Sequence, residues 1–287
     1  MIALPGFFAE YQTRVSAEIE RLIGGADGAV ERAMAYTLRA SSKQVRAVLT
    51  VLCAELCGGS AAQAVPAAAA IELIHASSLI LDDLPSMDNA PLRRGLPANH
   101  VAFGEAVAIL AAFGLLNLAY ATFARSYRPE LAARLASLTA DAVGPGGLIG
   151  GQALDLAATD QQISFEILER IHRGKTGSLF VAAASCGALT AGAMPDAIAA
   201  LTAYAKNLGL AFQIVDDLLD VEGDPAQTGK AIREDARKTT FVSFSGVEGA
   251  RELAIELCET ADAALAPFGA SAQRLRELSA FVAARRL

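Results

Sequence analysis

Charged residues are scarce in this chain, at 19% against 53% hydrophobic over 287 residues. A sizeable core can therefore be buried, and one large domain spanning 1–287 is the simplest organisation. No basic run stands out, and the net charge is −7, which argues against nucleic acid as a partner. An anionic substrate would need this acidity reversed locally by side chains or metal ions. Cysteine is sparse too, and none of Cys53, Cys57, Cys186 and Cys258 forms a C-x-x-C pair. Neither a zinc site nor a disulfide framework is expected; reduced, buried thiols of a cytoplasmic protein are. The first residues lack a signal-peptide layout. The stretch 106–124 runs for nineteen residues without a charge and imitates a membrane span, bracketed by Glu105 and Arg125. A buried central helix is expected there, and the set of spans that a polytopic membrane protein needs is not.

Strand signals are nearly missing: Ala, Leu, Glu and Arg dominate, and β-branched alternation is rare. The pattern predicts an all-α fold with helices at about 6–23, 27–39, 43–58, 64–83, 101–124, 129–143, 145–157, 164–172, 176–191, 195–221, 248–265 and 271–285. No Pro-, Gly- or Ser-rich linker and no fixed-period repeat divides them. Gly174-Lys175-Thr176 is no phosphate-binding P-loop, because Glu169 stands where its first glycine belongs and no strand precedes it. The glycine-rich run 144–151 follows a helix and reads as close helix packing.

What the chain does have is two groups of aspartates. Asp82, Asp83 and Asp88 end one apolar helix, with Arg93-Arg94 just beyond. A helix carboxyl end favours cations, so this pair calls for positive charge nearby. Asp216, Asp217 and Asp220 lie on another helix, with Gln213 one turn earlier. Two carboxylates about 5 Å apart repel by roughly 3 kcal/mol at an effective dielectric near 20. Oxygen-only ligands suit magnesium, which completes its shell with water and substrate phosphates. Two such groups about 130 residues apart, both in apolar surroundings, read as a magnesium–diphosphate clamp, with manganese a substitute. Gln152 and Asp155 share a helix face and could position a lysine or a metal-bound water, or simply make ordinary hydrogen bonds.

These features, in this order, resemble the trans-prenyl diphosphate synthases, the farnesyl and geranylgeranyl diphosphate synthase family. Glu72-Leu-Ile-His75 precedes the first aspartate motif and Arg93-Arg94-Gly95 follows it. Gly151-Gln152 with Asp155-Leu156, Lys175-Thr176, Phe212-Gln213 with the second motif, Gly229-Lys230 and Lys238 complete the set. The resemblance implies a single bundle of about 10–13 helices around a central cavity, working on isopentenyl diphosphate and an allylic diphosphate. It implies that Asp82, Asp83, Asp88, Asp216, Asp217 and Asp220 bind magnesium. It assigns Arg93, Lys175, Lys230 and Lys238 to the allylic diphosphate, and Lys43, Arg46, His75 and Arg94 to isopentenyl diphosphate. Thr176 and Gln213 would sit near the developing cation, so that Lys175, Thr176, Gln213 and Arg93 are the catalytic candidates. The stretch 223–240 would be a lid, and the protein a homodimer to which the 101–124 helix contributes.

Ser41-Ser42-Lys43-Gln44-Val45-Arg46-Ala47 departs from the family's Gly-Gly-Lys-Arg-x-Arg-Pro but keeps both cations. Ser77 and Ser78 stand five and four residues before Asp82, about 6–8 Å along the helix. Short-chain members carry a bulky aromatic there. The small serines, like the long insertion between Asp83 and Asp88, resemble bacterial geranylgeranyl diphosphate synthases, so a twenty-carbon product is expected, with farnesyl or a longer chain as alternatives. Rival readings are a terpene cyclase, an intramembrane prenyltransferase and a non-catalytic partner subunit. The second cation set, the shortage of spans and the two intact motifs oppose them in turn.

Overall fold

The computed structural model describes residues 5–25, 27–222 and 238–285. These are almost wholly helical: α1 (Phe7–Ile23), α2 (Ala29–Arg39), α3 (Val45–Leu56), α4 (Ala61–Asp82), α5 (Asn99–Phe103), α6 (Glu105–Ser126) and α7 (Pro129–Val143) come first. Then follow α8 (Leu148–Ala158), α9 (Phe165–His172), α10 (Ser178–Thr190), α11 (Pro195–Glu222), α12 (Phe241–Ala264) and α13 (Gln273–Ala283). The one sheet among the described residues is a hairpin of two-residue strands, β1 (Leu92–Arg93) and β2 (Leu96–Pro97).

Helix α4 is the pillar. Ser60 and Gln63 form a reciprocal capping box that starts it three residues before the periodicity predicts. Ala67 to Ile71, Leu73 and Ile74 are buried on all sides, because α3, α6 and α10 pack around it. Small residues permit the closeness: a Cβ on Gly187 of α10 would lie 2.1 Å from the Thr50 carbonyl oxygen of α3. Each large aliphatic side chain sealed here contributes about 2 kcal/mol. A smaller apolar cluster, with Leu168, Ile214, Leu218 and Phe241, joins α9, α11 and α12.

Three helices, α4, α6 and α11, are long and apolar enough to cross a membrane by length and composition. The sequence led us to expect one such stretch. The other two qualify because isolated charges such as Glu72 and Lys206 are outweighed by Ala, Ile and Leu around them. Of their apolar windows, 67% is buried in α4 but only 39% in α6. Helix α6 thus leaves an apolar face open, including Leu110 and Phe113.

Two boundaries differ from those expected for a physical reason. The 101–124 helix is split at Gly104, whose φ of 84° no helix accommodates. Helix α12 begins at Phe241 rather than 248, capped by Thr240 and Ser243, with Gly246 at φ 73° as a kink; the glycine makes the first turn look like loop.

Pro66 lies inside α4, where it removes a donor and its ring crowds the preceding turn. A hydroxyl repairs the ladder. Ala67 N donates to Tyr127 Oη at 3.0 Å, and that hydroxyl donates to the Gln63 carbonyl at 2.8 Å. Tyr127→Phe should lower stability by about 1–3 kcal/mol, read as a shift in the urea midpoint at unchanged slope.

Candidate active site

The carboxyl end of α4 carries Asp82 and Asp83, and the chain then folds back so that Asp88 N donates to the Asp82 carbonyl at 3.0 Å. The hairpin follows, with Arg93 opposite Leu96. Its turn, Arg94-Gly95, has φ of 55° and 76°, the left-handed pair that matches strand twist in a two-residue hairpin. The turn returns Arg93 to Asp83, whose two oxygens it grips. The Asp83 side chain is only 3% exposed. It therefore serves as a buried anchor for Arg93, while Asp82 and Asp88 keep more open carboxylates.

Those two meet lysines from distant elements. Lys175 Nζ lies 3.1 Å from Asp82, 3.9 Å from Asp88 and 2.8 Å from Asp155. Lys238 Nζ lies 2.7 Å from Asp88 and 3.0 Å from Asp155. Gln152 donates to Asp82 at 2.7 Å. Lys175 stands on a π-helical turn, Arg173–Gly177, between α9 and α10, a widening frequent at functional sites. Glycine brings α8 against that turn, since a Cβ on Gly151 would come within 2.1 Å of Lys175 N. Asp155, one turn on, then sits beside the ammonium, so of the readings open for Gln152 and Asp155 the lysine-positioning one describes Asp155. Burial opposes the charge of Lys175 and of Lys238, but the surrounding aspartates outweigh it and hold both ammoniums above their ordinary range. Burial likewise pushes Asp155 up, and its two lysines more than reverse this.

The second motif divides in the same way. Asp217 is buried; it accepts from Gln213 at 2.9 Å and from Phe241 N at 3.0 Å. It thereby docks the start of α12, just after Lys238. Gln213 in turn accepts from Thr176 Oγ1 at 2.8 Å. Asp216 is half-exposed and paired with Arg285 at 2.7 Å, and half-buried Asp220 lies one turn further along.

A distinct set of cations lies between α3, α4 and the hairpin. Arg46 is stacked over the Phe180 ring at 4.6 Å, and its buried Nε has no partner. Burial lowers it to about 10, against the pull of Glu72 and Asp216. Burial and then Arg46, Arg94 and Arg93 push His75 well below its usual range, so its imidazole is neutral. Lys43 is lowered by burial and by Arg285. Glu72 is buried beneath Arg46 and Arg94, and burial raises it. The Ala47 departure has a consequence here: Ala47 N donates to Glu72 at 3.2 Å, a bond a proline could not make.

Among the described residues no three His, Cys, Asp or Glu side chains come together as a ready cation cage. Protein cations hold the acids instead, and this fits magnesium in donor chemistry: all-oxygen groups, with Asp82, Asp88 and Asp216 each paired with a lysine or arginine on a long stem. Lys230 and most of the expected lid lie outside the described residues. Two contributors escaped sequence reasoning. Arg285 reads as an ordinary basic residue at a helix end, and Glu72 entered only as part of a motif.

A helical bundle that sets acid clusters against sequestered cations in two groups defines a class of enzyme built for diphosphates. The chain belongs to the polyprenyl synthetase family, whose model matches residues 27–261, and it is a prenyltransferase. It is 42% identical over 247 residues to a farnesyl diphosphate synthase of Geobacillus stearothermophilus, covering 84% of this chain and 82% of that one. It is likewise 42% identical to the chloroplastic geranylgeranyl pyrophosphate synthase 9 of Arabidopsis thaliana, over 89% of this chain and 74% of that one. A geranylgeranyl pyrophosphate synthetase structure from Pyrococcus horikoshii superposes with TM-score 0.88 at 29% identity, covering 98% of both chains.

His172 packs its ring on Phe241, with centroids 5.2 Å apart. Burial depresses it to about 4. Unfolded, it titrates near 6.5, so the unfolded chain binds more protons between those values and stability rises with pH from about 4 to 6.5. The span amounts to about 3 kcal/mol. His172→Phe should flatten the pH dependence of the melting temperature in that window while leaving its value at pH 8 nearly unchanged.

Proposed function

We propose that the protein joins isopentenyl diphosphate head-to-tail to an allylic diphosphate, with magnesium, and that geranylgeranyl diphosphate is the main product. The observation that carries this reading is the division of the cations. Arg93, Lys175 and Lys238 pair directly with Asp83, Asp82, Asp88 and Asp155, whereas buried Arg46 and Arg94 act on buried Glu72 and on neutral His75. One diphosphate enters with metal, and a second without it. A terpene cyclase needs only the first. Farnesyl and geranylgeranyl synthases are both among the relatives at about 40% identity.

The allylic C–O bond breaks, and its electron pair leaves with the diphosphate. The isopentenyl double bond supplies the pair for the new C–C bond, and a proton lost from the neighbouring carbon restores an alkene. Charge grows on the leaving oxygens, where Lys175 and Lys238 stand already charged, with Arg93 beside them. Asp82, Asp88, Asp216 and Asp220 would hold magnesium, or manganese in its place, which would supply further positive charge there when bound. Thr176 and Gln213, locked by their mutual hydrogen bond and by Asp217, keep fixed oxygen dipoles beside the cation. The buried Arg46 and Arg94 hold the second diphosphate, and the apolar walls exclude the water that would quench the cation.

The length argument rests on the serines. Ser77 Oγ donates to the Ala112 carbonyl at 2.8 Å, and Ser78 Oγ to the His75 carbonyl at 2.8 Å. Each hydroxyl is folded onto backbone, so neither serine adds bulk below Asp82. The open apolar face of α6 suits a homodimer contact better than a bilayer, and the free, mostly buried cysteines suit the cytoplasm.

Purified protein with magnesium, isopentenyl diphosphate and dimethylallyl or farnesyl diphosphate should yield a dominant twenty-carbon diphosphate by mass spectrometry. Ser78→Phe should shift that product toward fifteen carbons. A fifteen-carbon product from the unsubstituted protein would keep the reaction and overturn the length argument. A folded protein that condenses neither primer would overturn the reaction in favour of a partner subunit.

A further inference from the structure

One carboxylate oxygen in the site holds two ammonium groups. Asp155 Oδ2 is 2.8 Å from Lys175 Nζ and 3.0 Å from Lys238 Nζ, so the two charges lie less than about 6 Å apart. Lys175 also pairs with Asp82 and Asp88, and Lys238 with Asp88, the acids magnesium needs. Asp155 itself is set by backbone: the Gly151 approach fixes α8 against the Lys175 turn, and Asp155 follows by one helical turn.

We propose that Asp155 is a positioning residue, a common anchor that retains Lys175 and Lys238 when metal takes Asp82 and Asp88. This rests on the metal-dependent reading above. A lysine with three donors can leave one acceptor and keep another. With Asp155 in place, the ammoniums surrender Asp82 and Asp88 and stay within reach of the leaving diphosphate. Without it, their remaining partners are the metal's own ligands, and lysine and metal compete.

The test is Mn2+ binding to the full chain without substrate, followed by electron paramagnetic resonance, in the unsubstituted protein, Asp155→Asn, Lys175→Gln and the double variant. Asp155→Asn should weaken Mn2+ about tenfold, and adding Lys175→Gln should restore most of that loss, a strongly non-additive cycle. Asp155→Glu, which keeps the charge, should stay within about threefold of the unsubstituted protein and show the same KM for the allylic substrate. An additive cycle would make Asp155 a direct metal ligand or a general source of charge, and would overturn the anchor. Asp155→Asn with unchanged Mn2+ affinity would overturn it too. No Mn2+ binding by the unsubstituted protein would sink the metal reading, and this one with it.

Discussion

Carboxylates among apolar helices stay charged only if cations reach them, and the structure is organised around meeting that demand. Lys175 and Lys238 share Asp82, Asp88 and Asp155; Arg93 holds Asp83; Arg285 holds Asp216. An ionised group in such surroundings without a partner would be neutralised or would destabilise the fold by several kcal/mol. Long side chains on separate elements can satisfy these acids and still give them up, which a rigid apolar wall could not. Stability and the freedom of these acids to change partners thus have the same origin.

Packing decides where those side chains arrive. Alanine makes α4 thin enough for α3, α6 and α10 to close around it, and the Tyr127 hydroxyl lets Pro66 sit in it without leaving a gap in its ladder. Glycine at 151 brings α8 onto the π-helical turn. Phe241, fixed by Asp217 and by the His172 ring, sets the point from which Lys238 enters. The chemistry of the site depends on backbone approaches as much as on the charged residues themselves.

Much of this was legible in the chain. The periodicity of α1, where Phe8, Tyr11, Val15 and Ile19 share the buried face, is typical of the helices, and the spacing of the aspartates located both ends of the site. What stayed hidden was the difference between neighbours of identical type. Asp82 and Asp83 look alike in sequence, yet the helix turns them to opposite surroundings, one toward the lysines and one into the hairpin. Asp216 and Asp217 part in the same way. The Arg285–Asp216 and Ala47–Glu72 bonds join residues 69 and 25 positions apart, and no local pattern marks a contact made through space. Gly104 and Gly246 broke helices because positive φ is a backbone property that composition only permits.

The hairpin turn links these themes. Arg93 and Arg94 are covalent neighbours, but Arg93 grips Asp83 while Arg94 feels Glu72 beneath Arg46. A left-handed backbone at Arg94 makes this divergence hold. Two guanidinium groups with different carboxylate partners are therefore joined by a single peptide unit, which works as a short tether between them. Motion of the hairpin carries both attachment points together and cannot easily change the distance between them.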